Sequence, residues 1–128
     1  MNQERFDKGL AVRREVLGSE YVDRALAAAD DFTRPLQELV TEYCWGEIWT
    51  QPELPRQTRS LINLAMISAL NRPHELKIHV KGALANGVTR EEICEVFLQV
   101  AIYCGVPAGI DSVRIAREAF AELDAAAR

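Results

Sequence analysis

Between Leu61 and Leu70 the chain reads Leu-Ile-Asn-Leu-Ala-Met-Ile-Ser-Ala-Leu, apolar nearly all the way round a helical projection and interrupted only by Asn63 and Ser68. A helix with no polar face has to be covered on every side. The segment is therefore expected to be the central element of the fold. Crossing a bilayer takes about twenty apolar residues, so it does not read as a membrane span. In a chain of 128 residues, full cover for one helix is easier if neighbouring copies supply part of it, and the expectation is a homo-oligomer.

The rest of the chain sorts into helices around that segment, with no alternating apolar and polar stretch that reads as a strand. The fold class is all-α, with about six main helices in a single domain over residues 1–128 and no internal boundary. Phe6, Leu10 and Leu17 share the face of a first helix ending near Leu17, where Gly18 suits a left-handed cap and Arg13 and Arg14 interrupt the stripe. Ser19 to Ala29 adds a short alanine-rich helix not counted among the main ones. A second main helix opens after Asp31-Phe32-Thr33 with Pro35 in its first turn, runs through Leu36, Leu39, Val40 and Tyr43, and breaks at Gly46. Trp45 to Pro55, with two tryptophans and two prolines, reads as a structured loop that cannot propagate a regular helix.

The third helix spans about Arg56 to Asn71, and the fourth opens at Pro73, carries Leu76, Val80, Ala83 and Leu84, and closes at Gly87. Thr89-Arg90-Glu91-Glu92 is a capping box: the threonine oxygen accepts from one free amide while Glu92 reaches back to another. It starts a fifth helix that stops at Gly105, and a sixth runs from Pro107 to about Ala125.

The formal charge of -4, with basic residues dispersed among acidic ones, leaves no stripe to neutralise phosphates, so nucleic acid is not an expected partner. The polar start Met1 to Arg5 carries no export signal, and Cys44, Cys94 and Cys104, odd in number and without Cys-x-x-Cys spacing, fit reduced packing thiols. A cytoplasmic protein with no membrane partner is the reading.

Two concentrations of residues could carry chemistry. On the fourth helix Arg72, Glu75 and His79 are three and four apart and share a face, which sets a guanidinium, a carboxylate and an imidazole in a row able to hold and protonate an anion. The same spacing serves a surface salt-bridge ladder, and His79 alone serves an interface contact. His74 and His79 are turned about 140° apart on a helix, so no metal site is expected. The other concentration is Trp45, Glu47 and Trp49 followed by Arg56 and Arg59. Indole rings exclude water and guanidinium forks match carboxylates, although both tryptophans also suit a plain staple of loop onto core. Phosphate-cradling glycine loops and nucleophile–base motifs are absent.

These residues resemble the 4-carboxymuconolactone decarboxylase family, a branch of the alkylhydroperoxidase D-like superfamily. The resemblance runs through Val12 to Gly18, Trp45 to Thr50, Pro55 to Leu61, Asn71-Arg72, Glu75 to His79, Asn86 to Ile93 and Ala101 to Pro107. It implies an all-helical protomer assembled into trimers or hexamers. Peroxidase relatives in the superfamily carry a Cys-x-x-Cys pair ahead of a histidine; Arg72 and Glu75 stand at those two positions here, which removes the reacting thiols. Gln51 and Glu53 depart from the arginine and glycine of the decarboxylases, and residues 108–114 depart as well. The implied activity is conversion of a small anionic lactone, 4-carboxymuconolactone, to 3-oxoadipate enol-lactone, in the protocatechuate branch of aromatic catabolism. No cofactor is implied, because the unsaturated lactone is its own electron sink. On this reading His79 donates the proton, Glu75 orients it, Glu47 is a second candidate acid, Arg56, Arg59 and Arg72 bind carboxylates, and Trp45 and Trp49 wall the site. A paralogue for another lactone or oxo acid, or a non-catalytic binding protein, is the alternative.

Overall fold

The computed structural model describes residues 1–128 and contains helices and turns only. The chain divides near the prolines of the expected loop into two compact units, Met1–Pro55 and Arg56–Arg128, where the sequence reading drew no boundary. No helix is long and apolar enough to cross a membrane.

The first unit is built on α1 (Gln3–Leu17), whose start is capped by the Asn2 side chain accepting from the Arg5 amide. Gly18, at φ 93°, turns the chain into α2 (Ser19–Ala27), a true helix of the fold. The two arginines that interrupt the apolar stripe of α1 both act as tethers. Arg14 donates to Asp23 of α2 at 2.6 Å, and the buried Arg13 donates to Gln37 at 2.9 Å and to Thr41 at 3.1 Å. Those acceptors lie on or just beyond α3 (Arg34–Leu39), which continues as a π-helical segment over Val40–Ile48.

The expected helix break at Gly46 is thus corrected: the helical path runs on through Trp45, Gly46 and Glu47, and the irregular loop starts only at Trp49. The reason is packing. A Cβ on Gly46 would lie 2.3 Å from the Arg5 carbonyl oxygen, and one on Gly9 would lie 1.9 Å from the Thr41 carbonyl oxygen. Both glycines let α1 and the π-helical segment meet backbone to backbone. Val12, Val16, Trp45 and Trp49 form the core that this contact encloses.

The second unit contains α4 (Arg56–Ala69), α5 (Pro73–Ala85), α6 (Arg90–Cys104) and α7 (Val106–Ala126). Asn71, at φ 56°, makes the turn between α4 and α5, and Gly87, at φ 89°, follows the C-cap of α5. The capping box forms in full: Thr89 Oγ1 accepts from the Glu92 amide at 3.0 Å and Glu92 Oε1 from the Thr89 amide at 2.9 Å. Leu64, Leu76, Val80, Ala83, Ile93, Phe97, Ala116 and Ala119 interlock as the core. Lys77 and Lys81 bridge α5 to Glu118 and Glu122 of α7 along its surface.

Within one chain α4 is covered only in part. Its neighbours α5, α6 and α7 bury Ser60, Leu64 and Ser68 on one side, while Ile62 and Met66 remain 41% and 50% exposed and Leu70, just past its end, 64%.

Candidate active site

α5 begins with Pro73 at its first turn, where a missing amide costs nothing, and presents Glu75 and His79 one turn apart. Glu75 is exposed and His79 is partly buried. Burial pushes the His79 imidazole below its ordinary pKa, and the Glu75 carboxylate pulls it partly back up. A desolvated imidazole with a carboxylate alongside is a group whose charge a ligand can change.

The hairpin register sets how far the arginines are from it. Asn86 Nδ2 donates to Ser60 Oγ at 2.9 Å, so the first turns of α4 lie beside the C-terminal end of α5. Arg56 and Arg59, both half-buried, belong to those turns. His79 precedes Asn86 by seven residues, about 10 Å along the helix. Arg59 starts one residue beyond Ser60 on the side away from His79, and Arg56 about a further turn beyond that.

Arg72 goes elsewhere. Its Nη1 donates to the carbonyls of Leu70 at 3.0 Å and Asn71 at 3.4 Å, and it lines a cavity of 240 Å³ among α4, α5 and α7 that neither Glu75 nor His79 lines. The row of three read from spacing is thereby split: Glu75 and His79 stay together and Arg72 faces a separate space.

In the first unit, Trp45 and Trp49 stack with ring centroids 4.7 Å apart and interplanar angle 29°, only 3% and 6% exposed. They are packed on Val12 and Val16 as part of that unit's core, which is the staple reading of these side chains. Glu47 is bonded to Arg5 Nε at 3.2 Å on the unit's surface. Cys44 is half-buried and burial raises its thiol pKa, while Cys94 and Cys104 are free and exposed. No three His, Cys, Asp or Glu side chains cluster in metal-binding fashion.

Sequence reasoning missed the Ser60–Asn86 bond and the cavity beside Arg72. The signal was present in part, because Ser60 and Ser68 are hydroxyls on the most apolar helix and both are buried.

Fold and site define an all-helical protein that carries a desolvated imidazole and half-buried guanidiniums on one helical hairpin. The particular family follows from comparison with known proteins. Residues 34–118 match the model described as the carboxymuconolactone decarboxylase family. The chain is 40% identical over 122 residues to the 4-carboxymuconolactone decarboxylase of Acinetobacter baylyi, covering 95% of this chain and 91% of that one. It is 48% identical over 113 residues to the nitrosuccinic acid decarboxylase of Metarhizium robertsii, covering 88% of this chain and 79% of the relative. The chain belongs to the carboxymuconolactone decarboxylase family, and with relatives of this kind it is a carboxy-lyase.

Proposed function

We propose that the protein decarboxylates 4-carboxymuconolactone to 3-oxoadipate enol-lactone, with His79 as proton donor. The observation that carries this reading is the half-buried imidazole of His79 with Glu75 one turn away, in a chain that aligns over 95% of its length with a decarboxylase of that substrate. In the lactone the departing carboxylate sits on the γ-carbon. As the bond to carbon dioxide breaks, its electron pair forms the β,γ double bond, the former α,β pair moves into the ring carbonyl, and the dienolate takes one proton at the α-carbon. The protein's task is to hold the carboxylates, stabilise the developing oxyanion and deliver that proton. Arg59, with Arg56 behind it, is assigned to the carboxylates, and Glu75 to orienting His79. Arg72 is left out because it faces another cavity.

A second reading is favoured by the 48% identity to a nitrosuccinic acid decarboxylase and by Gln51 and Glu53, which depart from the pattern of the lactone enzymes. The two substrates share a skeleton. Each has the departing carboxylate on a carbon that also bears a CH2–carboxylate arm and an electron-withdrawing group, the unsaturated lactone in one and nitro in the other. In nitrosuccinate the released electron pair forms a nitronate, which is protonated on carbon to 3-nitropropanoate. One arginine for the arm and one imidazole for the proton suit both.

Carbon dioxide release, followed with loss of the lactone's ultraviolet absorbance and in parallel with nitrosuccinate, chooses between them. Turnover of neither, with no thermal shift from either acid, sinks both readings.

The working form is proposed to be a homo-oligomer. Ile102 and Tyr103 are 80% and 82% exposed, and Leu98, Val106 and Ile110 lie bare beside them on α6 and α7, more apolar surface than a solitary chain is expected to leave in water. Light scattering that returns the mass of one chain at micromolar concentration removes this assignment.

A further inference from the structure

We propose that the cavity at the start of α5 binds a small oxyanion, at a site separate from His79. It is walled by Ser68 of α4, Arg72 and Pro73 at the start of α5, and Ala108, Asp111 and Ser112 of α7. At 240 Å³ it falls below the roughly 300–1,000 Å³ of pockets that enclose drug-sized ligands. It suits a phosphate or a short carboxylate.

Two independent features give it a preference for negative charge. Arg72 makes no ion pair: its hydrogen bonds run from Nη1 to the Leu70 and Asn71 carbonyls, which leaves Nε and Nη2 to donate elsewhere. The starts of α5 and α7 both meet the cavity, and neither has a side-chain cap, whereas α6 in the same unit has a complete capping box. Uncapped starts of helices 13 and 21 residues long present positive dipole ends, which attract anions. Asp111, the one carboxylate on the wall, is already bonded to Arg114 Nη1 at 2.8 Å.

The feature that points to a ligand is Ser68. It is 5% exposed and its hydroxyl has no hydrogen-bond partner. Three other hydroxyls on or just past helices, Thr41, Thr50 and Ser112, each donate to the carbonyl four residues back at 2.7 Å. A buried hydroxyl that leaves that bond unmade, on the wall of a cavity holding a guanidinium, is satisfied when an anion's oxygen accepts from it. His79 is seven residues from Arg72, about 10 Å along α5, too far for a short carboxylate to touch both.

The test is isothermal titration calorimetry of the full chain with inorganic phosphate and, separately, with acetate. Binding of phosphate alone, acetate alone or both supports the site and identifies its ligand class. Arg72→Gln is expected to weaken binding about tenfold or more through loss of charge-assisted bonds, and Ser68→Ala by a few-fold through loss of one neutral bond. Because Arg72 also holds the turn before α5, Ala108→Leu, which fills the cavity from α7, is the second variant and should abolish binding with circular dichroism unchanged. His79→Gln should leave it intact. No heat with either anion at millimolar concentration overturns the proposal, as does binding that disappears in His79→Gln and persists in Ala108→Leu. Absence of heat leaves the decarboxylation reading untouched, and loss of binding in His79→Gln overturns this site while favouring anion binding at His79, so the two assignments fail separately.

Discussion

Gly9→Ala sets helix propensity against packing. Inside a helix, alanine in place of glycine ordinarily stabilises by about 1 kcal/mol, and nothing in the local sequence of α1 argues otherwise. Across the interface the sign reverses. A methyl group at position 9 would sit 1.9 Å from the Thr41 carbonyl oxygen and 2.7 Å from the Gly46 amide nitrogen, against 3.4 Å for the closest ordinary contact. The obstacles are backbone atoms and cannot swing aside. α1 and the π-helical segment therefore have to separate by more than 1 Å, which stretches the Arg13–Thr41 bond of 3.1 Å and loosens Val12 and Val16 from Trp45 and Trp49. Overpacking of this kind costs about 1–3 kcal/mol, more than the propensity gain for most of that range, and the resistance of backbone atoms places the cost toward its upper end. The assay is urea unfolding followed by tryptophan fluorescence. Both tryptophans of the chain lie in the first unit, so the signal reports the unit that carries the substitution. The midpoint should fall with the slope unchanged. Ala11→Gly, at an exposed site on the same helix, supplies the propensity effect alone, a loss of about 1 kcal/mol. A midpoint for Gly9→Ala at or above that of the parent refutes the close-approach argument.

His79→Gln should lower kcat by about 10²–10⁴-fold with the far-ultraviolet spectrum unchanged, the usual worth of a general acid; near-parental turnover removes His79 from the reaction. Because burial favours the neutral imidazole, the protonated donor of the free enzyme is populated only below the ordinary value of about 6.5. The kcat/KM profile should then fall about tenfold per pH unit above that lowered pKa, an alkaline limb that His79→Gln abolishes. The same shift affects stability. Between the lowered folded value and the ordinary unfolded one the unfolded chain binds more protons, so stability is full above that window and declines as pH drops through it. Urea midpoints at pH 7 and pH 5, with His79→Gln showing the smaller difference, check the sign. Thr89→Ala, which breaks the capping box at the start of α6, should cost about 1 kcal/mol and leave kcat unchanged.

Of the site, the sequence shows the pairing of Glu75 with His79, because two residues one turn apart on a helix are neighbours wherever that helix packs. Extending the row to Arg72 used the same rule and failed to locate its guanidinium, since a residue at a helix start is turned by the loop and by the helices beside it. The tryptophans show the same division. Their water-excluding character is a property of the residue type, but that they serve the core of the first unit follows from Val12 and Val16 lying against them.

What the sequence determined by itself is local: all-helical character, helix ends marked by proline, glycine and the Thr89–Glu92 box, and the absence of paired thiols beside His79. Each depends on atoms within about one helical turn. Tertiary structure alone decided that Gly46 is a contact point inside a continuing helical path, that Arg13 is a buried tether, that α4 leaves Ile62 and Met66 bare, and that Arg72 opens on its own cavity. Those outcomes depend on which distant backbone comes within a few ångströms, and helical periodicity carries no information about that.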